Sequence, residues 1–137
     1  MTPVVSLPAM VAGTVAVGWA TVELERAVGE LAHLLVPGRS FSAAPASIVL
    51  GARCRVGPAH TPTGLRIVLL EPDTEGRLAA TLARNGEGWA VSWVADAGLG
   101  ARPWPARPGP LGDERLLPVR SAFGPHRLLV EAVPSPS

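Results

Sequence analysis

Residues 14–35, TVAVGWATVELERAVGELAHLL, hold a strand and a helix in immediate succession. The first half is rich in Val with small residues between and carries no charge before Glu23, which is typical of a buried strand. In the second half apolar side chains recur at helical spacing, with Thr21 as a candidate cap and Pro37-Gly38 as the stop signal. These apolar positions are Leu24, Ala27, Val28, Leu31 and Leu35. We therefore predict a buried strand followed by an amphipathic helix.

The rest of the chain predicts further strands and one short helix, separated by segments rich in Gly and Pro. The predicted strands cover residues 48–56, 65–71, 89–95, 115–122 and 126–133. A short helix with Asp73 or Thr74 as its cap is expected to reach Arg84 before Asn85-Gly86 ends it. The order strand–helix–strand–strand–helix–strand–loop–strand–strand predicts the α+β class.

The composition excludes several chemistries. The 137 residues include 12 Arg but no Lys and no Tyr, which excludes a Schiff-base lysine, a Walker-type phosphate lysine and a Ser–Lys dyad. The single cysteine, Cys54, excludes an internal disulfide and a cysteine zinc site. A net charge of +1 with scattered Arg gives no basic stripe for nucleic acid. Pro and Gly interrupt the uncharged N-terminal run, so we expect no membrane span. The single cysteine fits a reducing compartment, so we expect a cytoplasmic protein.

Four short motifs occur in an order that is more specific than any one of them. They are ELERA (residues 23–27), LLEP (69–72), GEG (86–88) and GPHRLLVE (124–131). Together they resemble the vicinal oxygen chelate superfamily, which includes glyoxalase I, bleomycin-resistance proteins and methylmalonyl-CoA epimerase, with the epimerase-like members most similar. The resemblance implies one domain over residues 1–137, built from two βαβββ modules whose mixed sheet curls around a cavity. Module one would span about 14–86, module two about 87–133, and a C-terminal tail 134–137.

Enzymes of this superfamily hold a divalent metal with one side chain from each of four strands. The resemblance places these positions at Ala16, Val68 and Val91, and at either Val130 or its neighbour Glu131. At least three of the four are aliphatic and cannot bind a cation, and the three His have no spacing suited to an alternative site. We therefore expect neither a metal nor another cofactor.

Strand alternation then predicts which side chains line the cavity. The predicted substrate-binding residues are Ala16, Val68, Trp89, Val91, Trp93, Leu128 and Val130. Val15, Val17, Ile67 and Leu69 are expected on the outer face, beneath the two helices. The cavity would be largely apolar, as small-molecule sites usually are.

Two polar residues are the candidate catalytic groups. Arg66 either reaches solvent at a strand end or donates hydrogen bonds to a ligand carbonyl or carboxylate. His126 is either a turn residue or an acid–base group. Cys54, between Arg53 and Arg55, is either a buried strand residue or a thiolate of lowered pKa.

The second module departs from the family pattern because residues 97–101 are too few for its helix before Pro103. Its outer face would then be covered by the Pro-rich segment 102–110 or by a second copy of the chain. We predict a homodimer.

Three functions stay open. The first is a metal-independent enzyme, a cyclase or isomerase acting on an apolar, carbonyl-bearing, polyketide-like metabolite by shape and hydrogen bonding. The second is a non-catalytic protein that sequesters a hydrophobic natural product, as drug-resistance members of the superfamily do. The third is a structural or regulatory protein whose pocket is filled by its own side chains.

Overall fold

The computed structural model describes residues 13–58, 65–95, 105–117 and 125–130. These residues form an α+β structure, as predicted, with seven strands and two α-helices. The first part of the chain contains β1 (Thr14–Ala20), α1 (Leu24–Leu31), a 3-10 turn (Ala32–Leu34), β2 (Ser42–Ser47), β3 (Ala52–Val56) and β4 (Arg66–Pro72). The second contains α2 (Arg77–Asn85), β5 (Gly88–Val94), β6 (Glu114–Leu117) and β7 (His126–Val130).

All seven strands belong to one curled, mixed sheet in the order β2-β3-β4-β1-β5-β7-β6. The strands β1 and β5 run antiparallel at its centre, and each pairs on its other side with a parallel strand, β4 or β7. The two halves of the sheet therefore repeat one arrangement about the β1–β5 pair. The second half contributes three strands among the described residues, and the predicted helix-poor stretch 97–101 lies outside them. The module boundary near residue 86 stays a prediction.

Helix α1 covers the outer face of the sheet, which carries Ile67 and Leu69. The predicted stripe is confirmed, since Leu24, Ala27 and Leu31 are buried against that face. Val17 is also buried with an outer cluster, whereas Val15 is 39% exposed and is not covered as expected. No helix in the described part of the chain is both long and apolar enough to cross a membrane.

Helix α2 lies on the inner face, although the sequence predicted both helices on the outer face. Its Leu78 is fully buried in the cluster that contains Val68 and Leu70 of β4. The amide of Leu78 donates to the carbonyl of Leu50 in the β2–β3 turn at 3.1 Å. This hydrogen bond holds the start of α2 against the β2–β3 turn. The apolar side of α2 therefore packs on the concave face of the sheet.

The predicted strand 48–56 is wrong in its first half, because residues 48–51 form a turn and β3 begins at Ala52. The preceding strand, β2, was missed altogether. Four of its six residues are exposed, and its sequence SAAPAS has weak strand propensity. Pro45 is tolerated there because β2 is an edge strand, so pairing with β3 rather than residue preference determines this element.

Candidate functional site

The centre of the inner face is filled by its own side chains. Trp93 is fully buried and packs across Gly18, where an added Cβ would lie 2.6 Å from Leu70 Cδ1 and 2.9 Å from Trp93 Cζ3. Six of the seven predicted lining residues face this side and belong to its buried cluster: Ala16, Val68, Val91, Trp93, Leu128 and Val130. Their predicted orientation is confirmed, and their role in substrate binding stays a prediction.

The predicted orientation of Trp89 is wrong. A register shift between β1 and β5 pairs Gly18 with Val91 but Trp19 with Trp89, which is the sign of a β-bulge at Ala90. The bulge reverses the alternation, so Trp89 packs with the α1 side of the sheet. There its ring meets Trp19 edge-on, with ring centroids 5.1 Å apart.

The four positions where the superfamily holds a metal do not fit one in this chain. Ala16, Val68 and Val91 are fully buried among apolar neighbours, and Val130 is nearly so. Within the described residues no group of three His, Cys, Asp or Glu side chains is placed to hold a metal ion. Glu131, the alternative fourth position, lies outside those residues.

A buried carboxyl group on the inner face was missed in the sequence. Glu114 is fully buried, its Oε1 accepts from Trp93 Nε1 at 3.0 Å, and its Oε2 accepts from Ser47 Oγ at 2.6 Å. Burial raises the pKa of Glu114, and the two hydrogen bonds only partly oppose that effect. The predicted strand began one residue too late, at Arg115. If the strand begins at Glu114, alternation from the inward-facing Leu116 places the Glu114 side chain on the inner face as well.

The Pro-rich segment 105–110 lies over Glu114. Arg107 and Glu114 exchange backbone hydrogen bonds of 2.8 and 2.9 Å, and the carbonyl of Pro108 accepts from the amide of Ile48 at 3.3 Å. Gly109 rests against the Glu114 carboxyl so closely that a Cβ there would overlap it. The segment therefore covers the inner face and not the outer face, for which it was one of the two covers that the sequence left open. The reason is the Arg107–Glu114 pairing, which turns the chain back over β6.

An open cavity of about 540 Å³ lies beside this segment. It is lined by Ile48, Val49, Arg77, Pro105, Ala106 and Arg107, none of them among the predicted lining residues. Arg77 is the first residue of α2, where the helix dipole adds positive potential to that of the two guanidinium groups. The cavity therefore offers positive charge beside an apolar patch.

His126 lies near the same end of α2. The hydroxyl of Thr81 donates to the carbonyl of Arg77 at 3.1 Å, so its oxygen accepts from His126 Nε2 at 2.7 Å. This network assigns the proton of the neutral ring to Nε2 and leaves Nδ1 as the acceptor. Burial, and then the charge of Arg77, lowers the pKa of His126. The ring is consequently a neutral base at pH 7.

Arg66 is not brought to His126. Its Nε donates to the carbonyl of Gly57 at 2.9 Å, which ties β4 to the end of β3. The strands of Arg66 and His126 are three positions apart in the sheet, or ~14 Å at usual strand spacing. The two predicted catalytic residues therefore do not form one constellation, and the catalytic role of each stays a prediction.

Cys54 fits the structural interpretation of a buried strand cysteine. It belongs to the inner cluster, and burial raises the pKa of its thiol to about 12. The negative charge of nearby Glu114 acts in the same direction. A thiolate at neutral pH is therefore disfavoured at this position.

Solved structures with the same fold include methylmalonyl-CoA epimerases. The epimerase from Mycobacterium tuberculosis matches with a TM-score of 0.67 and 23% identity, covering 95% of this chain and 94% of that one. A variant of the Streptomyces coelicolor epimerase in complex with 2-nitronate-propionyl-CoA matches with a TM-score of 0.66 and 21% identity, over 88% and 97%. A hypothetical protein from Bacillus halodurans matches with a TM-score of 0.63 and 18% identity, over 90% and 96%.

No protein-family model matches the chain, and no curated protein matches it significantly. The structural likeness extends over nearly the whole length at low identity, so it shows the fold. The chain has the vicinal oxygen chelate fold that its motifs predicted.

Proposed function

We propose that this chain is a metal-independent small-molecule enzyme of the isomerase class that acts on an anionic, partly apolar acyl compound. The observation that carries the proposal is the cavity lined by Arg77 and Arg107 together with Ile48 and Val49. Guanidinium groups bind phosphate and carboxylate oxygens through charge-assisted hydrogen bonds, and the two aliphatic side chains suit an acyl chain.

The ligand class is supported by a protein of the same fold. The Streptomyces coelicolor epimerase variant is in complex with 2-nitronate-propionyl-CoA, a molecule with several phosphates and a short acyl group. An acyl thioester of this type has negative charge, which suits the two arginines of the cavity, and an apolar acyl group, which suits its aliphatic side chains. The polyketide-like substrate suggested by the sequence would not use the positive charge of the cavity, so an anionic thioester is the better candidate.

His126 is the residue to which we assign the base. Its Nδ1 is the acceptor in the neutral ring, and Thr81, which bonds Nε2, also donates to the backbone carbonyl of Arg77, whose side chain lines the cavity. In an isomerisation Nδ1 would take the proton from the carbon beside the thioester carbonyl and return it, with no net consumption of protons. Arg66 is assigned a structural role through Gly57.

Binding without turnover is a second candidate function, and the packed inner face favours it. Trp93 and the aliphatic residues around Gly18 leave no room for a ligand at the centre of that face in this conformation. A sequestering protein would need only the open cavity at its edge. The enzyme and the sequestering protein would bind the same class of ligand. They differ in whether the protein converts the bound ligand into a product.

Calorimetric titration with propionyl-CoA tests the binding part. Arg77→Ala and Arg107→Ala should each weaken binding about tenfold, which corresponds to about 1.4 kcal/mol for a lost charge-assisted contact. Arg84→Ala is the matched control, since Arg84 is exposed in the last turn of α2 and is not among the cavity residues. The N-acetylcysteamine thioester, which lacks phosphates, should bind far more weakly. Equal binding of both thioesters would contradict the proposal.

Mass spectrometry of propionyl-CoA after incubation with the protein in D2O tests turnover. Uptake of deuterium at the carbon beside the carbonyl is expected for an isomerase. An unchanged mass with intact binding would identify the second function instead.

A further inference from the structure

A hydrogen bond between Ser47 and Glu114 joins the two opposite edges of the curled sheet. In the strand order β2 and β6 are the outermost strands, with five strands between them. Ser47 is the last residue of β2 and Glu114 the first of β6, yet the Ser47 hydroxyl donates to Glu114 Oε2 at 2.6 Å. Both residues are almost completely buried. The half-barrel is therefore closed across its concave side at this point.

The first half of the molecule contributes one wall of the arginine-lined cavity, formed by residues 48–49 and Arg77. The β2–β3 turn is joined to the start of α2 by the hydrogen bond of 3.1 Å from the Leu78 amide to the Leu50 carbonyl. The Leu50 amide in turn donates to Ser47 Oγ at 3.3 Å. This first wall is therefore one connected unit that begins at Ser47.

The second half contributes the other wall, formed by residues 105–107. Arg107 exchanges its two backbone hydrogen bonds with Glu114, and Gly109 lies so close to the Glu114 carboxyl that a Cβ there would overlap it. The side chain of Arg107 is exposed, so the backbone of this segment determines where its guanidinium group can reach. This second wall is therefore built on Glu114.

Two hydrogen bonds among the described residues connect the walls, and they differ in length. The Ile48 amide donates to the Pro108 carbonyl at 3.3 Å, which is longer than the usual N–H···O range of about 2.7–3.2 Å. The bond from Ser47 to Glu114 is 2.6 Å long and buried, and the Trp93 indole fixes the carboxyl by donating to Oε1 at 3.0 Å. The side chain of Glu114 is therefore the stronger connection.

We propose that Glu114 is the positioning residue of this cavity. Its hydrogen bond to Ser47 holds the second wall beside the first, so that one anionic ligand contacts both Arg77 and Arg107. The inference rests on the proposed function and concerns the same cavity. Glu114 does not line the cavity and acts on the ligand through Arg107.

This role predicts an unequal effect on the two arginines. Without the Glu114 side chain the second wall separates from the first, and the ligand stays with Arg77 and the aliphatic residues of the first wall. The contribution of Arg107 is then lost while that of Arg77 remains. A general loss of stability would instead weaken the contributions of both arginines.

Calorimetric titration with propionyl-CoA in two backgrounds tests this role. Arg107→Ala should weaken binding about tenfold in the otherwise unchanged protein and less than twofold in the Glu114→Ala background. Arg77→Ala should weaken binding about tenfold in both. In Glu114→Gln the amide oxygen can accept from Trp93 and the amide nitrogen can donate to Ser47 Oγ, so the tenfold effect of Arg107→Ala should return.

Ser47→Ala removes the same hydrogen bond without opening space beneath Gly109, so it provides a second background should Glu114→Ala fail to fold. It should also reduce the effect of Arg107→Ala to less than twofold. Ser42→Ala is the matched control, because Ser42 is an exposed residue at the other end of β2. In that background Arg107→Ala should keep its tenfold effect.

A tenfold effect of Arg107→Ala in the Glu114→Ala or Ser47→Ala background would overturn the positioning role and leave the proposed function standing. Loss of both arginine contributions in these backgrounds would show that Glu114 is merely structural, which also overturns the role. If neither arginine affects binding in the otherwise unchanged protein, the proposed function is wrong and the positioning role falls with it.

Discussion

Gly18 and Trp93 are 75 positions apart in the sequence and meet at the centre of the inner face. The indole of Trp93 lies where a side chain at position 18 would otherwise be, and its Nε1 reaches the Glu114 carboxyl. One aromatic residue thus fills the cavity centre and orients the buried acid. Among the described residues, the middle of the inner face is therefore packed at the place where the sequence predicted a cavity.

Replacement of Gly18 by Ala should destabilise the protein by about 1–3 kcal/mol, the usual cost of overpacking a core. The new Cβ would lie 2.6 Å from Leu70 Cδ1 and 2.9 Å from Trp93 Cζ3, and both side chains are buried. Urea denaturation measures the change. Gly88→Ala is the control, because no atom lies within 4 Å of a Cβ there. Equal effects of the two substitutions would show that strand propensity, not packing, limits position 18.

The candidate site could be predicted from sequence only where alternation holds. Alternation placed Trp93, Val68 and Leu128 correctly on the inner face. It failed at Trp89 because a bulge depends on how two strands pair and leaves no local pattern. The arginine-lined cavity was missed for a related reason, since α2 and segment 105–110 contribute its two arginines from distant parts of the chain.

At the level of elements, three of the family-like motifs meet at the N-terminus of α1. Glu71 of LLEP accepts from the Leu24 amide at 3.0 Å, and Leu24 belongs to ELERA. Glu87 of GEG accepts from the Val22 amide at 2.9 Å and the Thr21 hydroxyl at 3.0 Å, and pairs with Arg26. Carboxylates at this end of a helix satisfy free amides and complement the dipole. These three motifs therefore form the hydrogen-bonded start of α1. They identify the fold and do not indicate a reaction.

Replacement of Glu87 by Gln should lower the free energy of unfolding by about 1 kcal/mol at pH 7, as loss of a helix cap does. Partial burial opposes the charge on Glu87, but the hydrogen bonds from Val22, Thr21 and Arg26 outweigh it and lower the pKa of Glu87 below 4.5. The stabilisation is therefore complete above pH 4.5 and is lost as the pH falls through the lowered pKa. Urea unfolding of both proteins over this pH range measures it.

Glu30→Gln serves as the control for this experiment. Glu30 also pairs with Arg26, but on the exposed surface of α1, and such pairs are worth little. Its replacement should change stability by less than about 0.5 kcal/mol at any pH. A loss of stability in Glu87→Gln that persists undiminished in acid would contradict the assigned role of the Glu87 charge.

At the level of the whole molecule, the sheet is one continuous half-barrel whose two halves meet at β1 and β5. On its second half the outer face carries Arg115 and Arg127, which are half-buried, and Val94 and Leu117, which are buried. Residues 105–110 of the Pro-rich segment, one of the two covers expected for this face, lie on the inner side instead. Because Val94 and Leu117 are already buried in the single chain, this part of the face is covered without a second copy, and the homodimer expected from the sequence stays a prediction.

The homodimer prediction is tested by light scattering at micromolar concentration. A mass of twice the 14.1 kDa chain is expected. If a dimer forms across this outer face, Leu129→Glu on β7 should dissociate it while leaving the far-ultraviolet circular dichroism unchanged, because Leu129 is only half-buried. A monomeric mass for the wild-type protein at that concentration would show the prediction to be wrong.

Local patterns sufficed for the α+β class, the α1 stripe, the inward set on β1, β4 and β7, and the aliphatic character of at least three of the four ligand positions. Helical spacing and strand alternation are properties of neighbouring residues, so one sequence contains them in full. The exposed strand β2, the side of the sheet taken by α2, the orientation of Trp89 and the cover over Glu114 depended on contacts between distant segments. There the free energy of pairing and burial outweighs the preferences of individual residues, and those contacts also bring Arg77 and Arg107 to one cavity.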